Sequence, residues 1–188
     1  RYEETERVIQ ELLSEIGRDV SDMGTIGIED RTPRTMLTPE LYAGHKFALP
    51  REQNVGNEQG LQPGATIDYS LPDRLRANVL YLEGKWQSNP DHLRSQDEES
   101  ASIVLDFTAS AVNIVADAQA PATLEVLIDG AYVSEEQAGD DVVFEDGKAV
   151  IVVDQPRLYN VVRGEYGSHT LRLTIHAKDF TFNAFTFG

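Results

Sequence analysis

The chain has 188 residues, of which 32 are acidic and 16 are Lys or Arg, giving a formal net charge of -16 at pH 7. This charge argues against nucleic acid and against an anionic membrane surface as partners, because both require clustered Lys and Arg. Hydrophobic residues make up 40% of the sequence and cysteine is absent, which predicts one globular domain and excludes disulfides and thiol catalysis within these residues.

An amphipathic helix is predicted over residues 2–16, within an N-terminal segment of residues 1–17. Gly17 is a typical C-terminal cap, because glycine readily adopts the left-handed conformation that ends many helices. The apolar stripe of this helix must be covered, either by the rest of the chain or by another domain. The stripe consists of Val8, Ile9, Leu12, Leu13 and Ile16.

Residues 18–37 are predicted to be a linker, because glycine and proline interrupt any periodic pattern there. The main domain is expected to cover residues 38–188. Its first residues, Thr38-Pro39-Glu40, are typical of a helix start and predict one short helical turn through Tyr42. Residues 51–60 are predicted to form a surface loop.

Short antiparallel strands separated by turns are predicted for most of the remaining chain. Apolar side chains alternate with polar ones, as at Ile103, Leu105 and Phe107. Asp129-Gly130 and Asp146-Gly147 are strong hairpin signals. Roughly ten short strands at this spacing predict an all-β fold, an antiparallel two-sheet jelly-roll sandwich preceded by one N-terminal α-helix. The predicted strands cover residues 65–70, 78–83, 92–94, 102–108, 112–116, 124–128, 142–145, 148–153, 158–163, 170–177 and 180–187.

Four phenylalanines in the last predicted strand indicate a β-bulge. Phe180 and Phe182 point to one face of a regular strand, whereas Phe185 and Phe187 point to the other. A bulge at residues 183–184 would return all four rings to the core face.

An ordered set of short segments resembles a known family. Across essentially its whole length, the chain resembles the C-terminal domain of DipZ-type thioredoxin-like proteins. The resemblance implies a jelly roll like those of carbohydrate-binding modules. The segments that carry it are Tyr-Glu-Glu-Thr-Glu-Arg-Val-Ile-Gln-Glu-Leu-Leu (2–13), Thr-Pro-Glu-Leu-Tyr-Ala-Gly (38–44), Leu-Glu-Gly-Lys-Trp (82–86), Arg-Leu-Tyr-Asn-Val-Val (157–162), His-Thr-Leu (169–171) and Ala-Phe-Thr-Phe-Gly (184–188).

The resemblance also implies a redox partner in the same protein. In that family the jelly roll follows a thioredoxin domain, so residues 1–17 would be a remnant of that domain's last helix. The redox Cys-x-x-Cys pair would lie upstream, and the chain itself is expected to be non-catalytic and to need no cofactor. The expected partners are the thioredoxin domain and a glycan or glycosylated substrate. The implied compartment is extracytoplasmic or periplasmic, whereas composition alone leaves the compartment open.

Aromatic side chains beside amides and charges are the usual means of binding sugar rings. Trp86, the only tryptophan, is the first candidate for stacking, and Tyr81 could extend the platform. Arg157, Tyr159 and Arg163 share parity on one predicted strand, where an arginine fork and a tyrosine could hold a carboxylate or sugar acid. Alternatively, Trp86 fills the core, and the arginines belong to a solvated face.

Three functions remain open from the sequence: a carbohydrate-binding accessory domain, a structural or protein-interaction domain without sugar binding, and an enzyme such as a hydrolase. No metal site is expected, because the histidines lack the short spacing of zinc ligands and the acids of residues 140–146 lack the alternation of a calcium loop. Ser168, His169 and Asp179 would form a triad only if the fold brought them together.

Overall fold

The computed structural model describes residues 2–20, 23–24, 36–97 and 99–188. Residue contacts divide the chain into two units, Arg1–Thr35 and Met36–Gly188. The segment predicted as a linker, residues 18–37, lies largely outside the described residues.

Helix α1, Tyr2–Glu15, confirms the predicted N-terminal helix. It ends as Gly17 adopts a left-handed φ of 77°. The Gly17 N–H donates to the Ser14 carbonyl, and the Arg18 N–H donates to the Leu13 carbonyl, both at 2.9 Å. This pair of bonds is the Schellman motif, which satisfies carbonyls that the helix itself leaves unpaired. Among the described residues, no helix has both the length and the apolar character needed to cross a bilayer.

The second unit confirms the predicted all-β, antiparallel, sandwich-like fold. All the pairings between its named strands are antiparallel in the part of the chain that the structure describes. The strands are β1 Leu41–Tyr42, β2 Thr66–Tyr69, β3 Leu80–Ser88, β4 Leu93–Ser95, β5 Ala101–Ala118, β6 Ala122–Ile128, β7 Ala131–Tyr132, β8 Val143–Glu145, β9 Lys148–Val153, β10 Arg157–Ile175 and β11 Phe180–Phe187.

The long strands β5 and β10 join the two layers of the sandwich. The first half of β5 pairs with β3, and its second half pairs with β11. The last residues of β10 pair with β6, whereas its first residues pair with the second half of β5. The first layer therefore contains β8, β9, β6, β7, β3 and half of each long strand, and the second layer contains β1, β11 and the remaining halves. Strand β4 pairs with both β3 and β11.

The prediction that β5 and β10 would each be two separate strands is wrong. Both strands remain extended where a break was predicted. The β5–β10 pairing continues past these positions, and its register shifts there. One shift lies between Arg163 and Gly167, opposite residues 109–111. A β-bulge bends a strand but does not end it. In the sequence, the break in side-chain alternation at a bulge therefore resembles a loop between two strands.

The phenylalanines of β11 confirm the predicted bulge. The register against β5 shifts between Phe182 and Ala184. Phe180, Phe182 and Phe185 are fully buried, and Phe187 packs against the core while remaining partly exposed. Each fully buried ring contributes about 1.5–3 kcal/mol relative to exposure, which makes the bulged strand a strong determinant of the fold.

The helical turn predicted at residues 38–42 is wrong. Leu41 and Tyr42 form β1 against β11, and Leu41 pairs with Phe185 in the core. The extended backbone directs Leu41 inward and Tyr42 outward, so tertiary pairing overrides the local helix-start pattern. Helix α2, His45–Ala48, comes later and continues into a 3-10 turn at Leu49–Arg51.

Candidate functional site

Trp86 lies in the core and not on a binding surface. Its side chain is 0% exposed, and its ring meets Phe180 edge-on with centroids 6.5 Å apart. The indole Nε1 donates to the Glu83 carbonyl at 3.0 Å, which satisfies the one polar atom of the ring. A ring enclosed in this way has no face for a sugar, which corrects the stacking prediction in favour of the core alternative.

Tyr81 points outward from β3 but is buried beneath the segment predicted to be a surface loop. A Cβ added at Gly56 would lie 2.3 Å from the Tyr81 ring, so the loop backbone rests directly on that ring. Asn57 fixes the loop, because its amide donates to the Leu82 carbonyl at 2.8 Å and accepts from the Leu82 N–H at 2.9 Å. The Tyr81 hydroxyl accepts from the Arg76 N–H at 3.0 Å. Tyr81 is therefore closed to a ligand.

Tyr159 and Arg157 are in contact, but this contact covers the Tyr159 ring. The Arg157 guanidinium lies 3.7 Å from the centroid of the buried Tyr159 ring. The Tyr159 hydroxyl donates to the Gln155 carbonyl at 2.7 Å and accepts from the Asp154 N–H at 3.2 Å. These bonds use Tyr159 to hold the turn before β10, and Arg157 covers the ring face that a sugar would need.

Arg163 does not share a face with Tyr159, because a register shift between Asn160 and Val162 separates them. Val161 and Val162 are both buried, as expected at a β-bulge. Beyond it Arg163 points to solvent. The prediction from residue parity that Arg163 shares a face with Arg157 and Tyr159 is therefore wrong, because the bulge reverses the alternation.

The outer face of the second layer carries a ladder of polar side chains across three strands. Asn160 of β10 lies opposite Asn113 of β5, which lies opposite Thr186 of β11. The Asn160 Nδ2 donates to Asn113 Oδ1 at 2.7 Å, and the Asn113 Nδ2 donates to Thr186 Oγ1 at 3.2 Å. Neither Asn113 nor Thr186 stands out in the sequence, because only the strand register brings them together.

These amides line a concave region of about 350 Å³, which we name the amide groove. Its apolar lining flanks the amides, so hydrogen-bonding groups lie beside surfaces suited to the C–H face of a sugar. Among the predicted binding residues, Arg163 lines the groove directly. The groove is formed by Ala111, Asn113, Asp140, Asn160, Val162 and Arg163.

Charges at the rim of the amide groove are paired. Arg157 Nη2 lies 2.8 Å from Asp141 Oδ1, and Asp141 Oδ2 accepts from the Asn160 N–H at 2.7 Å. Burial raises the pKa of Asp141, but the hydrogen bonds from Arg157 and the Asn160 N–H outweigh it and bring the pKa below its ordinary value. Arg163 and Asp140 form a looser pair at 3.4 Å, with both side chains 72% exposed. Both arginines of the predicted fork thus already have acidic partners.

The residues suggested as a triad do not assemble into one. His169 Nδ1 lies 2.7 Å from Asp129 Oδ2, so Asp129 and not Asp179 orients the imidazole. Ser168 Oγ instead pairs with Thr108 Oγ1 at 2.7 Å. Ser168 and His169 are consecutive in β10, and consecutive strand residues point to opposite faces. Within the described residues, no three His, Asp or Glu side chains are grouped as a metal site requires.

The comparisons with known proteins agree with the architecture. Protein DipZ of Mycobacterium bovis and Protein DipZ of Mycobacterium tuberculosis are each 30% identical to this chain over 131 residues. The aligned region is 69% of this chain and 18% of either relative, so the chain spans less than a fifth of their length. The family described as thioredoxin like C-terminal domain matches residues 38–188, nearly all of the β-sandwich unit. With a match of this extent, the chain belongs to that family of thioredoxin-like C-terminal domains.

Proposed function

We propose that this chain is a non-catalytic accessory domain of a thioredoxin-like protein and that it binds a glycan through the amide groove. The observation that carries the proposal is the Asn160–Asn113–Thr186 ladder on an accessible sheet face. Sugar hydroxyls both donate and accept hydrogen bonds, and a side-chain amide offers two donors and an acceptor oxygen.

The ladder leaves hydrogen-bonding capacity for a ligand. Within the described residues it uses one N–H of each amide and one acceptor position of Asn113. The second N–H of Asn113 and of Asn160, and the Asn160 carbonyl oxygen, remain for sugar hydroxyls. Because the ladder fixes both amides, little side-chain entropy is lost when a ligand binds.

The length of the relatives supports the proposed accessory role. The chain corresponds to 18% of each Protein DipZ, so the greater part of such a protein lies outside the region of similarity. We place a thioredoxin domain upstream, with residues 1–17 as its last helix. In support, Val8, Ile9 and Leu12 of α1 are 48–56% exposed and would be covered by such a domain. A glycan-binding domain would raise the local concentration of substrate near the redox centre.

The test is a glycan array followed by calorimetric titration of the full chain. We expect weak binding, with Kd between about 1 mM and 1 μM, because a shallow groove buries little area. Asn113→Ala and Asn160→Ala should each lose about 0.5–1.5 kcal/mol of binding free energy, the net value of a neutral hydrogen bond. Thr123→Ala, an exposed polar truncation on the other layer, is the matched control and should bind as the unmodified chain does.

A structural or protein-interaction domain is the second candidate. Strand β8 is the last strand in the sheet order. Its exposed Val143 pairs with Val150 of β9, and the exposed Val152 lies two residues further along β9. An apolar strand at a sheet edge is a template for pairing with another chain. If no glycan binds and sedimentation velocity shows a dimer that Val143→Lys disrupts, this second function replaces the first.

A further inference from the structure

We propose that the ligand is a neutral oligosaccharide that crosses the strands from the amide groove to a second subsite at Tyr42 and Phe47. This inference rests on the proposed glycan binding and names the ligand class and the aromatic residue that extends the site. It depends on three observations: a row of side chains in register on the outer face, in which Ala184 is only 6% exposed; an aromatic pair beside a cleft at the far edge; and the pairing of charges along the row.

The register defines a row of side chains next to the amide ladder. Leu158 of β10 lies opposite Val115 of β5, Val115 lies opposite Ala184 of β11, and Ala184 lies opposite Tyr42 of β1. Paired residues of antiparallel strands point to the same face. Strands lie about 4.8 Å apart, so three steps cover about 14 Å. A path of that length takes several linked pyranose rings.

Aromatic side chains mark the far end of this row. The Tyr42 and Phe47 rings stack with centroids 6.1 Å apart, and the Arg51 guanidinium lies 4.8 Å from the Tyr42 ring centroid. Arg51 and Phe47 thereby fix the Tyr42 ring. Phe47 itself is 46% exposed, and an exposed ring of this kind is a suitable surface for the C–H face of a sugar.

A cleft of about 350 Å³ opens beside Tyr42, where β1 is the outermost strand of the sheet order. Gln53 shapes it, because its side chain accepts from the Tyr42 N–H at 3.1 Å and donates to the Glu40 carbonyl at 2.7 Å. The Gln53 side chain thus makes hydrogen bonds to the edge of β1 that a neighbouring strand would otherwise make. The cleft combines polar walls such as Arg51 with apolar ones such as Val55, the mixture typical of small-molecule sites.

The distribution of charge favours a neutral ligand. Side chains of the row and the ladder are apolar, amide or hydroxyl. The arginines at the rim of the amide groove already have partners, Arg157 with Asp141 and Arg163 with Asp140. The whole chain carries a formal charge of -16, which repels an anionic ligand. A sugar acid would therefore meet arginines already paired with acids at the amide groove. At the second subsite, Arg51 donates to the Phe47 carbonyl at 3.0 Å and lies against the Tyr42 ring, and the acidic Glu52 lines the same cleft.

The experiment measures affinity against ligand length. The probes are α-1,4- and β-1,4-linked glucans of one to six units, with polyuronates of the same lengths, titrated calorimetrically into the full chain. We expect affinity to rise with length for a neutral series. Phe47→Ala should weaken binding of the long members about tenfold and leave the short members unchanged, because only long chains reach Phe47. Phe47→Tyr keeps the ring and should restore the length dependence.

Phe144→Ala is the matched control, since Phe144 is also 46% exposed but lies on β8 in the other layer. It should not change glucan affinity at any length. Affinity that is independent of length, an equal loss in Phe144→Ala, or tighter binding of polyuronates would overturn the inference. If Asn113→Ala weakens all lengths but Phe47→Ala weakens none, the extended site is refuted while the amide groove stands. If no probe binds, the extended neutral site is refuted, and the glycan array decides separately whether the amide groove binds another sugar.

Discussion

Glu125 connects four segments of the first layer through its two carboxylate oxygens. Oε1 accepts from Lys148 Nζ at 2.7 Å and from His176 Nε2 at 3.0 Å, and Oε2 accepts from the Tyr132 hydroxyl at 2.7 Å. The hydrogen bonds from Lys148 and Tyr132 lower the pKa of Glu125 to about 2, against a smaller opposing effect of burial. The folded state therefore favours the ionised form of Glu125 more strongly than the unfolded state does.

This difference sets the direction of a pH dependence. Because the folded pKa is below the unfolded value of 4.5, the Glu125 carboxylate stabilises the fold above pH 4.5, and this contribution is lost as the pH falls towards 2. Glu125→Gln should lower the free energy of unfolding by about 1 kcal/mol at pH 7, and by less at pH 3. Urea unfolding at the two pH values measures this, with the exposed Glu165→Gln as control. An equal loss at both pH values would contradict the role given to ionisation.

Residue identity alone was a poor guide to the candidate site. Trp86 and Tyr159 are aromatic as expected of a sugar platform, but whether a ring is exposed depends on strand register and on what covers it. The parity argument failed at Arg163 because a bulge precedes it. The amide ladder was not predictable either, since Asn113 and Thr186 are 73 positions apart and ordinary in their local sequence.

At the scale of elements, strands bounded by strong turn signals were predictable. Asp129 and Asp146 adopt φ of 52° and 50°, and the glycines after them are also left-handed, as two-residue hairpin turns require. The β11 bulge was predictable because four phenylalanines needed one face. Strand β1 was not, because the pairing with β11 that makes it a strand is a long-range contact absent from its local sequence.

Helix α1 provides a prediction at the same scale. Its stripe residues Val8, Ile9 and Leu12 are 48–56% exposed, and Ile16 is 73% exposed. If α1 belongs to a neighbouring domain, as proposed, deleting residues 1–17 should change the free energy of unfolding of the sandwich by less than about 1 kcal/mol. Urea unfolding of the full and shortened chains, followed by Trp86 fluorescence, measures this. A loss of several kcal/mol would mean that α1 belongs to the sandwich and not to a neighbouring domain.

At the scale of the whole molecule, composition limits the chemistry that these residues can perform. The chain has no cysteine, and disulfide exchange requires an attacking thiolate. Under the proposed accessory role, disulfide exchange would take place on the upstream thioredoxin domain, and this chain would act by binding the substrate.

This separation leads to a prediction for such a longer protein carrying an upstream thioredoxin domain. Asn113→Ala should leave its rate of reducing a small glycan-free disulfide unchanged, because the redox centre is untouched. The same variant should reduce glycan-bearing disulfide substrates several-fold more slowly at low substrate concentration, since the local concentration supplied by the groove is lost. Saturating substrate should abolish the difference, because a tether acts on encounter and not on the exchange step. A uniform loss on both substrates would instead point to a structural effect on the thioredoxin domain.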